Sequence, residues 1–163
     1  MKKIAIVMGS DSDLPVMQQA IDCLKEFSVP FEVRIISAHR TPDVAREFAL
    51  SAKEEGFAAI IAAAGKAAHL GGFIAAYTTL PVIAVPIKGS AFLGFDSLLS
   101  MVQMPAGVPV ATVAVDGSMN AALLAVQMLA LSDKELDEKL SAYKANLGKK
   151  VIEKDEKIKS SIK

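Results

Sequence analysis

The chain reads as an α/β protein with a parallel sheet and helices on both of its faces. Two observations carry this. The apolar runs Ile4 to Met8 and Phe57 to Ala64 are continuous, not alternating, as strands buried on both faces require. Between them lie segments whose apolar residues recur at helical spacing, so strand, helix, strand, helix and strand follow in turn.

The first strand, Ile4 to Met8, ends at a Gly-Ser-Asp turn. Asp13 is placed to cap the following helix, Pro15 falls in its first turn, and Met17, Ala20, Ile21, Leu24 and Phe27 form its apolar stripe. A second strand spans Phe31 to Ile36. Thr41 then caps a helix opened by Pro42, with Val44, Phe48 and Ala52 as its stripe and Gly56 as its end. Phe57 to Ala64 and Pro81 to Ile87 are the third and fourth strands. Val108 to Val115 is a fifth, with Pro109 at its start, where a missing donor is tolerated. Met119 to Leu131 is an apolar helix. Ser132 and Glu135 form a capping box that opens a more polar helix, running intermittently towards Lys163. No internal repeat or low-complexity linker interrupts the 163 residues, a length that fits one domain.

The composition narrows the function. Eighteen basic and eighteen acidic residues cancel, which argues against nucleic acid as a partner. One cysteine excludes an intrachain disulfide and points to a reducing cytoplasm; Cys23 sits mid-helix and reads as a small core residue. The apolar run after Met1-Lys2-Lys3 stops at Gly9, too short for an export signal, and Phe57 to Ala64 is too short to cross a bilayer. A soluble protein with no membrane partner is expected. An apolar share of 52% also suggests surface buried between subunits.

In a doubly wound sheet, ligands sit beyond the carboxyl ends of the strands. Chemistry is therefore expected at Gly9–Asp13, Ser37–Thr41, Gly65–Gly72 and the segment after Ile87. Ser10, Ser12 and Asp13 either hold an anion on exposed amides and hydroxyls or simply form the turn. The segment lacks the glycines and lysine of a dinucleotide fingerprint or P-loop. In Ser37-Ala38-His39-Arg40, the histidine is the side chain whose ordinary pKa, roughly 6.5, allows proton exchange both ways near neutrality. Arg40 offers a planar fork to a phosphate or carboxylate. Gly65, Gly71 and Gly72 would let backbone approach a flat ligand, and His69 either orients that ligand or is a structural histidine. Only two histidines exist, with no second metal-ligand spacing, so no metal site is expected. No Gly-x-Ser-x-Gly elbow supports a serine hydrolase.

Five segments in order, Met8–Asp13, Ser37–Pro42, Ala67–Leu70, Asp96–Ser100 and Val102–Pro105, resemble the small mutases and carboxylases that act on aminoimidazole ribonucleotides. The Ala67-Ala68-His69-Leu70 and Gln103-Met104-Pro105 segments resemble the bacterial 5-(carboxyamino)imidazole ribonucleotide mutase branch. The resemblance implies a three-layer α/β/α sandwich of flavodoxin-like order in a single mutase domain over residues 1–163. Residues from about 133 to 163 would then pack on neighbouring subunits of a cytoplasmic homo-octamer. It implies conversion of 5-(carboxyamino)imidazole ribonucleotide to 4-carboxy-5-aminoimidazole ribonucleotide in purine biosynthesis, without cofactor or metal. His39 would be the general acid and base. Ser10, Ser12, Asp13, Ser37 and Arg40 would hold phosphate and ribose, with Gly65, His69 and Leu70 closing over the base and carboxylate. Three residues depart from the family pattern. Lys66 stands where a second glycine is common, and is expected to point to solvent more readily than to a substrate carboxylate. Gly71 replaces a frequent proline and is expected to loosen its loop. Ala84 replaces a usual glycine.

Overall fold

The computed structural model describes residues 2–89 and 91–162. Strands β1 (Lys3–Met8), β2 (Phe31–Ile35), β3 (Phe57–Gly65), β4 (Val82–Ile87) and β5 (Ala111–Thr112) form one sheet in the order β2-β1-β3-β4-β5. Every neighbouring pair is parallel. This is the flavodoxin-like order, whose topological switch point lies between β1 and β3. The helices are α1 (Leu14–Glu26), α2 (Pro42–Ser51), α3 (Leu70–Ala75), α4 (Phe95–Val102), α5 (Ser118–Ala130) and α6 (Lys134–Ser161). The chain divides into two compact units, the division falling within α5 between Val126 and Gln127.

In the first unit both sheet faces are covered. Ala5 and Val7 of β1, Ile60 and Ala62 of β3, and Val82 and Ala84 of β4 share one buried cluster with Phe48 of α2, Ile74 of α3 and Met101 of α4. The alternate residues Ile4, Ile6, Ile61, Ile83 and Val85 are equally buried and point to the other face. There α1 and α5 meet, where Ser118 Oγ donates to the Val16 carbonyl at 2.5 Å. The five alanines of β3 and Ala84 of β4 let both helical layers come close. β2 is an edge strand, so Ile35 stays 59% exposed although its residue type suits a core.

Local chemistry shifted several elements from their expected form. Asp13 does not cap α1 with its side chain. Ser10 caps a 3-10 turn over Asp11–Asp13, its Oγ accepting from the Ser12 amide at 3.3 Å, and Asp13 is buried behind it. Thr41 precedes α2, but its hydroxyl is already engaged by Ser37, accepting from the Ser37 amide and donating to the Ser37 carbonyl, both at 3.0 Å. The buried stripe of α2 is Ala45, Phe48 and Ala49, with Ala52 next, while Val44 is 41% exposed. Val44 lies about 100° around the helix from Ala45, which sets it on the shoulder. α2 ends at Ser51, and Gly56, at φ +87°, closes the turns that follow.

β5 shrinks to two residues. Pro86 of β4 pairs with Ala64 on the β3 side, and its carbonyl accepts from Asp116 on the β5 side at 2.8 Å. A strand residue presents its amide and carbonyl to the same neighbour, so the amide proline lacks is the one that would have extended the β4–β5 ladder. Helices α3 and α4, absent from the sequence reading, fill the connections on either side of β4. In the second unit, Asp133 and not Ser132 caps α6, its Oδ1 accepting from the Leu136 amide at 3.2 Å. α6 then runs unbroken for 28 residues through Gly148; Lys163 lies outside the described residues. No helix among these residues is long and apolar enough to cross a membrane.

Candidate active site

Four chain reversals meet at the carboxyl ends of the strands, around a cleft of about 680 Å³. It is centred on the switch point, where the Gly9 amide leaving β1 donates to the Ala63 carbonyl of β3 at 3.1 Å. Ser10, Ser12, Asp13, Ser37, His39, Arg40, Gly65, His69 and Leu70 all line it, as do Lys66 and Lys88.

The first wall is the turn after β1. Ser12 Oγ donates to Ser10 Oγ at 3.0 Å, so the two hydroxyls stand side by side at the start of the 3-10 turn. Asp13 is only 7% exposed, and burial pushes its carboxyl above its ordinary pKa of 3.8. The Ser12 hydroxyl and a hydrogen bond from the Ser10 backbone to the carboxyl oppose that rise, and the nearby charge of Asp11 adds to it.

The second wall is the loop between β2 and α2. Arg40 Nη2 donates to the Gly9 carbonyl at 2.8 Å, and the Arg40 amide and Nε reach Ser37 Oγ at 3.2 and 3.4 Å. The guanidinium thus staples this loop to the turn after β1. The remaining edge of the cation faces a cleft already furnished with two serine hydroxyls, an arrangement suited to a phosphate.

The third wall leaves β3. A Cβ on Gly65 would lie 3.3 Å from the Ile87 carbonyl, so a side chain there would crowd β4. Lys66 follows at φ +56°. His69 sits immediately before α3 and uses no side-chain bond to cap it. Its Nδ1 lies instead 2.8 Å from His39 Nε2, with the rings edge to face at 83°. The two histidines of the chain, thirty residues apart, therefore form one pair at the cleft.

The fourth wall, after β4, contributes Ile87, Lys88 and Gly89. Ser97 is buried and its Oγ donates towards the Ile87 and Gly94 carbonyls at 3.0 and 2.9 Å, which fixes this strand end from behind. Lys88 was not singled out in the sequence, though its position after a strand end was the available signal; Ser90 lies outside the described residues. Asp96–Ser100 and Val102–Pro105 do not line the cleft: they belong to α4 and its exit. Gly71 is not in a loose loop either. It is buried in the first turn of α3, where an added Cβ would meet that of Ala84 at 3.3 Å. Cys23 is buried, its thiol pushed up to about 11 by burial and by Glu26, so it is a core residue. Among the described residues no group of three or more His, Cys, Asp or Glu side chains could hold a metal ion.

Fold and site together define a flavodoxin-like α/β protein with a serine-lined turn and a histidine pair at its switch point. The pattern of the AIR carboxylase family matches residues 3–150, and the chain belongs to that family. The N5-carboxyaminoimidazole ribonucleotide mutase of Pyrococcus horikoshii is 57% identical over 155 residues, covering 95% of this chain and 88% of that protein. The phosphoribosylaminoimidazole carboxylase of Saccharomyces cerevisiae is 54% identical over 157 residues, 96% of this chain and 28% of that longer protein. Treponema denticola PurE has the same fold, with a TM-score of 0.84 at 31% identity over 94% of this chain and 96% of that one. The family suggested by the five sequence segments is thus the family to which the chain belongs.

Proposed function

We propose that this protein is a mutase converting 5-(carboxyamino)imidazole ribonucleotide to 4-carboxy-5-aminoimidazole ribonucleotide in purine biosynthesis. The observation that carries the reading is the His39–His69 contact of 2.8 Å, set in the same cleft as the Ser10–Ser12 turn and Arg40.

The reaction is an isomerisation. The bond between the exocyclic nitrogen and the carboxylate carbon breaks, its electron pair stays on nitrogen, and nitrogen takes a proton. The nucleophilic ring carbon then attacks the released carbon dioxide, and loss of the ring proton restores aromaticity. One proton moves from ring carbon to nitrogen and no electrons are exchanged, so the balance calls for no redox cofactor. A single group that gives and later regains a proton suffices, and His39 has that role in this reading. Ser10, Ser12, Asp13, Ser37 and Arg40 hold the phosphate and ribose, while Gly65, His69 and Leu70 enclose the base.

The protein works in the cytoplasm as a homo-octamer, residues 133–163 packing on neighbouring subunits. Exposed Phe92, Leu93, Phe95, Leu99 and Val102 around α4 supply apolar surface of the kind that subunits bury. Light scattering giving the monomer mass would overturn the assembly.

The yeast relative named a carboxylase favours a second reading, direct carboxylation of 5-aminoimidazole ribonucleotide. One assay separates the two: the ultraviolet change on adding each ribonucleotide with EDTA and without ATP, in the presence and absence of bicarbonate. The mutase accelerates conversion of the carboxyamino substrate above its spontaneous decay with no need for bicarbonate. Turnover only of the uncarboxylated ribonucleotide with bicarbonate would replace this proposal by the carboxylase.

A further inference from the structure

Residue 66 carries a side chain where the backbone favours none. Lys66 has φ +56°, the left-handed region in which a Cβ crowds the following carbonyl and glycine is at ease. At its neighbour Gly65 a side chain would crowd the Ile87 carbonyl, with the added Cβ only 3.3 Å from it. The turn out of β3 therefore spends its one glycine on a contact with β4 and places a lysine on the strained position beside it. Strain of this kind persists where the surroundings over-determine it, and it clusters at ligand sites.

The ammonium of Lys66 has no carboxylate partner among the described residues, and Lys66 lines the cleft. It follows β3, whereas Arg40 follows β2 and is committed to the Gly9 carbonyl and Ser37. The cleft thus offers positive charge at three strand ends: Arg40 beside the serine turn, Lys66 three residues before His69, and Lys88 after β4. A carboxylated imidazole ribonucleotide is itself anionic at two ends, one a phosphate and the other a carboxylate.

We infer that Lys66 is a specificity-determining residue whose ammonium pairs with the carboxylate on the imidazole, so that carboxylated ribonucleotides are held in preference to the uncarboxylated one. The inference rests on the mutase reading above and assigns to one residue the discrimination that reading needs. A ligand that has lost its carboxylate keeps only the phosphate-side contacts, while both carboxylated forms engage Lys66.

The test is calorimetric titration of 4-carboxy-5-aminoimidazole ribonucleotide and of 5-aminoimidazole ribonucleotide into the wild-type protein and into Lys66→Met, Lys66→Arg and Lys66→Gly. Lys66→Met should weaken the carboxylated ligand about tenfold, the loss of one charge-assisted contact, and leave the other ligand unchanged. Lys66→Arg should restore most of the preference. Lys66→Gly should lose it while melting higher, because the left-handed strain is gone. Equal weakening of both ligands, or none, overturns the assignment, as does a preference that vanishes in Lys88→Met and survives in Lys66→Met. Failure of the wild-type protein to bind either ribonucleotide would instead bring down the mutase reading itself, and this inference with it.

Discussion

His39 Nε2 and His69 Nδ1 lie 2.8 Å apart across the switch point of the sheet. A nitrogen–nitrogen contact of that length holds one hydrogen between the two rings, so the tautomer of one histidine dictates that of the other. His69, anchored just before α3, thereby orients His39 and, in the mutase reading, leaves its Nδ1 to meet the substrate.

His39→Asn should lower kcat by about 10²–10⁴, the usual worth of a positioned acid–base group, with ribonucleotide binding retained. His69→Phe keeps a flat ring but removes the nitrogen, and should lower kcat less while leaving KM close to wild type. His69→Gln, whose amide can still donate and accept, should recover part of that loss. Wild-type turnover in His69→Phe would make the contact incidental.

Arg40 should act mainly on binding. Arg40→Ala removes a charge-assisted contact worth roughly 1.5–3 kcal/mol and also the staple to the Gly9 carbonyl. The expected result is a KM raised about ten- to a hundredfold, with a smaller change in kcat. Arg40→Lys keeps the charge without the planar fork and should fall between the two. An unchanged KM in Arg40→Ala would take the guanidinium out of the site.

The two halves of this picture were not equally legible in the sequence. β1, β3 and β4 announced themselves because a strand buried on both faces has nothing polar to break its run. Their C-terminal ends then pointed to the cleft by topology alone. α3 was hidden because Gly71 and Gly72 in a row argue against a helix; tertiary packing against Ala84 and Met104 outweighs that propensity. β5 was overdrawn because the interruption comes from Pro86 on the neighbouring strand, which no pattern within residues 108–115 reveals. Asp13 and Thr41 looked like caps because their residue types suit caps; Ser10 and Ser37 reached the relevant partners first. The His39–His69 contact joins loops thirty residues apart and is a property of the fold alone.

Asp13 makes a prediction with a sign. Its carboxyl is raised in the folded protein, chiefly by burial, so folding favours the protonated form. Relative to an uncharged isostere, the wild-type protein is at its best below the ordinary value of 3.8. It loses stability as pH rises through the higher folded value. Asp13→Asn should therefore melt higher than wild type at pH 7, and the gap should narrow on acidification. The same variant should bind ribonucleotide more weakly, since it loses a carboxyl acceptor in the cleft. Melting curves at several pH values decide the matter: a gap that widens towards acid would show that the carboxylate is stabilised by its surroundings.

Gly71 and Ala84 face each other across the contact of α3 with β4. A side chain on Gly71 would bring its Cβ to 3.3 Å from that of Ala84 and 3.7 Å from Val110 Cγ1, so the space a bulkier residue 71 would need is filled by the Ala84 methyl. The two positions therefore share one volume across the contact of α3 with β4. Gly71→Ala alone gains backbone rigidity in the unfolded chain but overpacks the contact, leaving little net change. Ala84→Gly alone opens a gap in the middle of a buried strand and should destabilise by about 1 kcal/mol. Together they should be more stable than the sum of the two single changes by roughly 1 kcal/mol, within the range seen for residues in contact. Urea unfolding of the four proteins measures this coupling directly. Additivity to within about 0.3–0.5 kcal/mol, as expected of distant sites, would mean that the two positions do not share the space.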